Sequence, residues 1–153
     1  MTYSNPAESA ARQLDSLLRG EISATETYRM AIESVADDEP HADQIAVLQQ
    51  MQEDHGRAAQ TLRDRIRELG GEASDSAGPW GAFARFTQGT ANLFGDTASL
   101  KSLKEGEEHG LKDYAEAVDD VDDTSADLIQ NQLIPLQQRH IRMLDQLINQ
   151  MSH

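Results

Sequence analysis

The sequence predicts an all-α fold, a four-helix bundle of two repeated helical hairpins joined by a long crossover that carries a short helix. Three observations predict it. Ala, Leu, Gln, Glu and Arg dominate a chain with few aromatics (5%) and no β-branched runs, which favours helix over strand. Apolar residues recur in alternating steps of three and four along four stretches, the mark of amphipathic helices. Those stretches also match one another in pairs. With 153 residues and 38% hydrophobic content, a single domain over residues 1–153 is expected, with hairpins at 5–70 and 97–151 and a crossover at 71–96.

The first helix begins at Ser4-Asn5-Pro6-Ala7-Glu8, where a polar cap precedes Pro in the first turn and an early Glu. Its seam runs through Leu14, Leu17/Leu18, Ala24, Tyr28, Ala31/Ile32 and Val35 to an end near Ala36. One seam position is acidic, Glu21. A carboxylate there must be paired, protonated or bound to a metal, because a bare buried charge costs several kcal/mol or more. Asp37-Asp38-Glu39-Pro40 is a turn, with Pro40 placed to open the second helix. That helix carries Ile45, Leu48, Met51, Ala58/Ala59, Leu62, Ile66 and Leu69 on one stripe, and Gly70-Gly71 caps it. Gln52 and His55 interrupt the stripe.

Residues 71–96 hold five glycines and most of the bulky aromatics. Trp80, Phe83, Thr87 and Phe94 fit one side of a short helix starting near Pro79, packed on the bundle. Asp96 caps a third helix with Leu100, Leu103, Leu111, Tyr114, Ala117/Val118 and Val121 on its seam, interrupted by Glu107. After a turn at Asp122-Asp123-Thr124, the fourth helix carries Ile129, Leu133, Leu136, Met143/Leu144, Leu147 and Met151, interrupted by Gln137 and His140. Pro135 lies inside it and is expected to kink it.

The interruptions recur in register. A shift of 86 residues matches Leu14 with Leu100, Gly20 with Gly106, Glu21 with Glu107, Tyr28 with Tyr114 and Ala31 with Ala117. A shift of 85 matches Leu48 with Leu133, Gln52 with Gln137, His55 with His140 and Leu62 with Leu147. Counted from position 38, Glu21 and His55 are each 17 residues from the first turn, about 25 Å along a helix. Glu107 and His140 are likewise equidistant from the second turn. Each hairpin thus places a Glu beside a His at mid-height, and face-to-face packing brings all four to the centre.

Glu, Gln-x-x-His, Glu, Gln-x-x-His on four helices resembles the ferritin-like superfamily, whose carboxylate-bridged members use two Glu plus two Glu-x-x-His motifs. Arg67-Glu68-Leu69-Gly70-Gly71-Glu72, a Gly/Trp-containing crossover, Glu105-Gly106-Glu107 and a Tyr seven residues on are similar to a bacterial family of ferritin-like bundles of unknown function. The resemblance spans roughly residues 12–150 and carries no defined reaction. The candidate metal ligands are Glu21, His55, Glu107 and His140, with Gln52 and Gln137 as weak ligands or outer partners. Glutamines stand where bridging glutamates belong, so the set favours a single divalent ion (Fe, Zn or Mn) over a di-iron centre.

Two other readings compete with a metal-binding bundle for storage, sensing or stress protection. In one, a non-enzymatic structural bundle closes a metal-free Glu/His/Gln network. In the other, the protein is a di-iron oxidase or peroxidase, which the glutamines disfavour. An enzyme is the weaker expectation. Tyr28 and Tyr114 read as core residues donating a hydrogen bond; Glu105, Glu108 and His109 read as surface, and His41 and His153 have no indicated partner.

The net charge of −14 argues against phosphate-mediated binding of nucleic acid, which needs clustered Lys and Arg. No apolar stretch approaches a membrane span, and no signal segment is evident. The absence of cysteine rules out disulfides and thiolate chemistry and suits a cytoplasmic location. Exposed crossover aromatics, Trp80 and Phe83, would favour a homodimer.

Overall fold

The computed structural model describes residues 5–38, 42–77 and 97–151. Helix α1 spans Pro6–Asp38, α2 Ala42–Glu68 and α3 Thr97–Ala117. A 3₁₀ turn, Val118–Asp120, leads to α4 (Asp123–Leu128), which continues through a π turn, Ile129–Leu133, into α5 (Ile134–Met151). The last three segments form the fourth rod of the bundle. No strand occurs among the described residues, and none of their helices is long and apolar enough to cross a membrane. The crossover helix, its aromatics, Asp96, Pro40, His41 and His153 lie outside the described residues.

Local chemistry sets the ends. Asn5 caps α1 by accepting the Ala7 N–H at 3.0 Å. The α2 C-terminus closes in a Schellman turn: Gly70 N–H reaches the Arg67 carbonyl, Gly71 N–H reaches that of Ile66, and Gly70 takes φ +83°, which glycine adopts without strain. At Gly71 a side chain would collide, its Cβ falling 2.8 Å from that of Ala11. The second hairpin turns at Asp122, whose carboxylate accepts the Ser125 N–H and hydroxyl and an Arg65 N–H at 2.8 Å. The turn is thereby fastened to the far end of α2.

The irregularity expected at Pro135 sits on the preceding turn. A proline has no N–H for the carbonyl one turn back, and here the helix widens so that Ile134 N–H bonds Ile129 O. Five residues later the rod is regular and carries His140 on its inner face.

Helix α1 packs along α2 and α3 along α5, and the hairpins meet through α1 against α3 and α2 against α5. Neighbouring helices run antiparallel: Tyr28 reaches Glu107 while Tyr114 reaches Glu21. The apolar core is in two parts. One holds Leu14, Leu18, Leu62, Ile66, Tyr114 and Ile129; the other holds Tyr28, Leu48, Met51, Leu100, Leu103 and Leu144. Leu111 and Leu136, expected on the seams, are only half-buried.

Replacing Asp122 by Ala removes the α4 cap and strips Arg65 of a partner. Urea unfolding is expected to show a loss of about 1–2 kcal/mol, the usual range for a cap of this kind, with secondary structure retained.

Candidate metal centre

Between the two apolar clusters lies a layer of buried polar side chains. Glu21 comes from α1, His55 from α2, Glu107 from α3 and His140 from α5, and none is more than 4% exposed. His55 is the hub. Its Nδ1 lies 2.5 Å from Glu21 Oε2 and its Nε2 lies 2.6 Å from Glu107 Oε1. Each tyrosine crosses to the other hairpin: Tyr28 donates to Glu107 Oε1 at 2.6 Å and Tyr114 to Glu21 Oε1 at 2.5 Å.

His140 is held differently. Its Nε2 contacts Asp54 Oδ2 at 3.0 Å, and its Nδ1 stops 3.4 Å from Glu107 Oε1, short of a hydrogen bond. The two imidazoles meet edge to face with centroids 4.7 Å apart. Glu107 Oε2 and His140 Nδ1 are both buried without a hydrogen-bond partner. Native proteins leave few such atoms, and each calls for a physical reason.

The charges follow from this packing. Burial opposes an imidazolium at His55, but Glu107 and Glu21 flank both ring nitrogens and raise its pKa well above 6.5. Burial likewise works against ionising Glu107, yet His55 and His140 hold it down at about 2. Burial, then the facing carboxylates, push Tyr28 and Tyr114 well above the usual phenol value of 10, so both remain hydrogen-bond donors.

One ligand atom from each of His55, Glu107 and His140 lies within 4.8 Å of the others, a group that can hold a metal ion. Glu21 is not among the three; it occupies the outer nitrogen of His55. Gln52 and Gln137 are turned to the main chain, their amides donating to the carbonyls of Thr25 (3.2 Å) and Glu107 (3.0 Å). Gly110 permits the second of these, since a Cβ there would lie 2.6 Å from the Gln137 nitrogen.

Asp54 is the residue that the sequence pattern did not single out. It is 7% exposed, and Gln50 donates to its other oxygen at 3.0 Å. Its spacing from Met51 and Ala58 puts it on the flank of the α2 stripe, as Ala58 flanks Ala59. Glu105, Glu108 and His109 are exposed, as expected.

The geometry can be set beside known proteins. The family described as a domain of unknown function, DUF2383, matches residues 9–120. The chain belongs to that family. No curated protein matches it by sequence. Among solved structures it resembles one titled as ferritin-like, diiron-carboxylate proteins from Bacillus anthracis str. Ames, at a TM-score of 0.73 and 17% identity, over 95% of this chain and 99% of the other. At that identity the likeness shows the fold, a ferritin-like four-helix bundle.

In this DUF2383 chain the ionic layer is expected to shape stability in chelator-treated protein. Glu107, lowered to about 2 from 4.5, stabilises fully above pH 4.5 and ceases to do so as pH falls through 2. His55, raised from 6.5, stabilises fully below pH 6.5 and less as pH rises towards its folded value. Urea midpoints should therefore plateau between pH 4.5 and 6.5 and decline on both sides. Glu107→Gln should flatten the acid limb and cost roughly 3–5 kcal/mol, because it leaves His55 and Tyr28 short of a partner.

Proposed function

We propose that this protein is a metal-binding bundle whose centre takes one divalent transition-metal ion through His55 Nε2, His140 Nδ1 and one carboxylate, Glu107. The observation that carries this reading is the pair of orphaned atoms, Glu107 Oε2 and His140 Nδ1. A closed network of imidazolium and carboxylate would satisfy them; a cation does so directly. Two imidazoles and a carboxylate are a donor set suited to iron, manganese or zinc.

Each histidine also has the outer partner that metal-bound imidazoles require. Glu21 meets Nδ1 of His55 and Asp54 meets Nε2 of His140, so the inner nitrogens are the ones left to coordinate. The tautomer that donates from Nε2 to Asp54 carries its lone pair on Nδ1. Binding must displace the His55 proton from Nε2, so affinity rises with pH and uptake releases protons. The four-residue ligand set expected from sequence thus divides into three ligands and an orienting carboxylate, Glu21. When bound, the ion would supply Lewis acidity or redox chemistry, while the chain holds it in a buried layer bordered by Tyr28 and Tyr114. Storage, sensing or stress protection fits such a centre better than a defined turnover.

The di-iron reading is disfavoured by the same residues. Each amide of Gln52 and Gln137 is committed to a helix carbonyl, and neither supplies the charge that a second ion needs. The metal-free reading is separated by experiment.

Elemental analysis of untagged protein should give about one divalent ion per chain, the simplest stoichiometry for three converging ligands. Chelator should lower the melting temperature and added ion should restore it. His140→Ala should abolish binding, and Asp54→Asn should weaken it by about 10–100-fold, the usual effect of losing an outer partner. Unchanged melting in chelator, with His140→Ala altering stability alone, would establish the metal-free network instead.

A further inference from the structure

A cavity of about 100 Å³ lies between α1 and α3. Its rim holds the exposed Ser16 and His109 and the half-buried Asp113, and its inner wall holds the buried Glu21, His55 and Gln137. It therefore runs from the surface to the central layer, where Glu21 and His55 stand on its wall. Glycines 20 and 110 face it from the two helices, and the absence of side chains there leaves it open.

We infer that this cavity is the inlet through which a divalent cation reaches the centre, with His109 and Asp113 as its first station. The inference rests on the metal-binding reading above and adds the route. His109 Nε2 and an Asp113 carboxylate oxygen lie 3.4 Å apart, one turn from each other on α3. A solvated imidazole and carboxylate so placed offer an aqueous cation a weak pair of ligands in exchange for some of its waters. The cavity has room for a few waters, each occupying about 30 Å³ in the liquid, so an ion can shed its shell in steps. At the inner wall waits the carboxylate of Glu21, and His55 is shared between that wall and the centre. The charge of −14 draws cations to the surface in general; a cleft lined by carboxylates concentrates that attraction at one opening.

The gradation of ligands has a physical logic. A strong site at the rim would retain the ion, whereas an exposed imidazole and a half-buried carboxylate release it readily. Deeper in, ligands become buried and the local dielectric falls, so each contact strengthens. The route thus runs from weak, wet ligands to strong, dry ones.

The test is the rate of Co(II) uptake by chelator-treated protein, followed by the visible absorption of the bound ion in stopped flow. Ser16→Trp fills the rim from α1, and the double variant His109→Ala/Asp113→Asn removes the first station without filling anything. Gln138→Trp, on an exposed position of α5, serves as control. The double variant should slow uptake about tenfold, the lower end of what charge-lined clefts contribute to association, with final absorbance and affinity unchanged. Ser16→Trp should slow it by a comparable or larger factor, and the control should match wild type. Uptake as fast as wild type in both rim variants would overturn the inlet while leaving the central site intact. Should Ser16→Trp fail to fold, the double variant, which alters only exposed or half-buried side chains, decides alone. Absence of any Co(II) spectrum in wild type would instead overturn the central site, and the inlet with it.

Discussion

The structure depends on one side chain, the His55 imidazole clamped between Glu21 and Glu107 inside the bundle. Removing these charges from water costs several kcal/mol per ion, and only close pairing with further hydrogen bonds offsets it. The pairing therefore fixes where three helices stand relative to one another. Moving α1 by one residue along its axis, about 1.5 Å, would break the Glu21 contact and leave a buried charge unpaired. Tyr28 and Tyr114 strengthen the constraint, because each ties one hairpin's helix to the other hairpin's glutamate. Apolar burial in the clusters on either side is non-directional, so the ionic layer is what selects the register.

That selection was legible in the sequence because the layer breaks the apolar rhythm. Glu21 and Glu107 stand at positions that a core seam assigns to leucine, and His55 and His140 interrupt seams at matching depth. The helix ends were legible for local reasons: a cap at Asn5, paired glycines at Gly70-Gly71, acidic residues at the second turn. What pattern alone does not carry is the direction in which a side chain points once four helices meet. Glu21, at a seam position equivalent to Glu107, lies against the outer nitrogen of His55, whereas Glu107 lies against the inner one. Asp54 is not marked by the pattern, because it sits at the edge of the stripe beside His55, where an acidic residue reads as surface. The proline's effect was also displaced, absorbed by a π turn before Pro135.

The matched halves of the sequence make the departures informative. At the shift that aligns His55 with His140, Asp54 aligns with Arg139. Arg139 is exposed, whereas Asp54 is buried against the partner histidine. A strict two-fold arrangement would give both imidazoles the same neighbours. Instead one is flanked by two carboxylates of the layer, and the other turns its Nε2 to Asp54 and presents a free Nδ1. A single aspartate thus separates two otherwise equivalent histidines.

This asymmetry bears on how many ions the centre can accommodate. Two metal ions in a carboxylate bundle need bridging oxygens and enough negative charge to offset four positive ones. Here the equivalent positions carry Gln52 and Gln137, which spend their amides on helix carbonyls, and the nearby acids are Glu21, Asp54 and Glu107. Two of those three are turned to the outer faces of the histidines, which leaves one carboxylate facing inward. On the proposed reading one divalent ion would match that balance, with Glu107 as its carboxylate ligand and Glu21 and Asp54 raising the basicity of the imidazoles that would complete its shell. Restoring charge at the glutamine positions would have to begin by breaking both carbonyl contacts, the second of which the missing side chain of Gly110 makes room for. The same carbonyl contacts that fix the two glutamines within the layer therefore also set the proposed centre against a second ion.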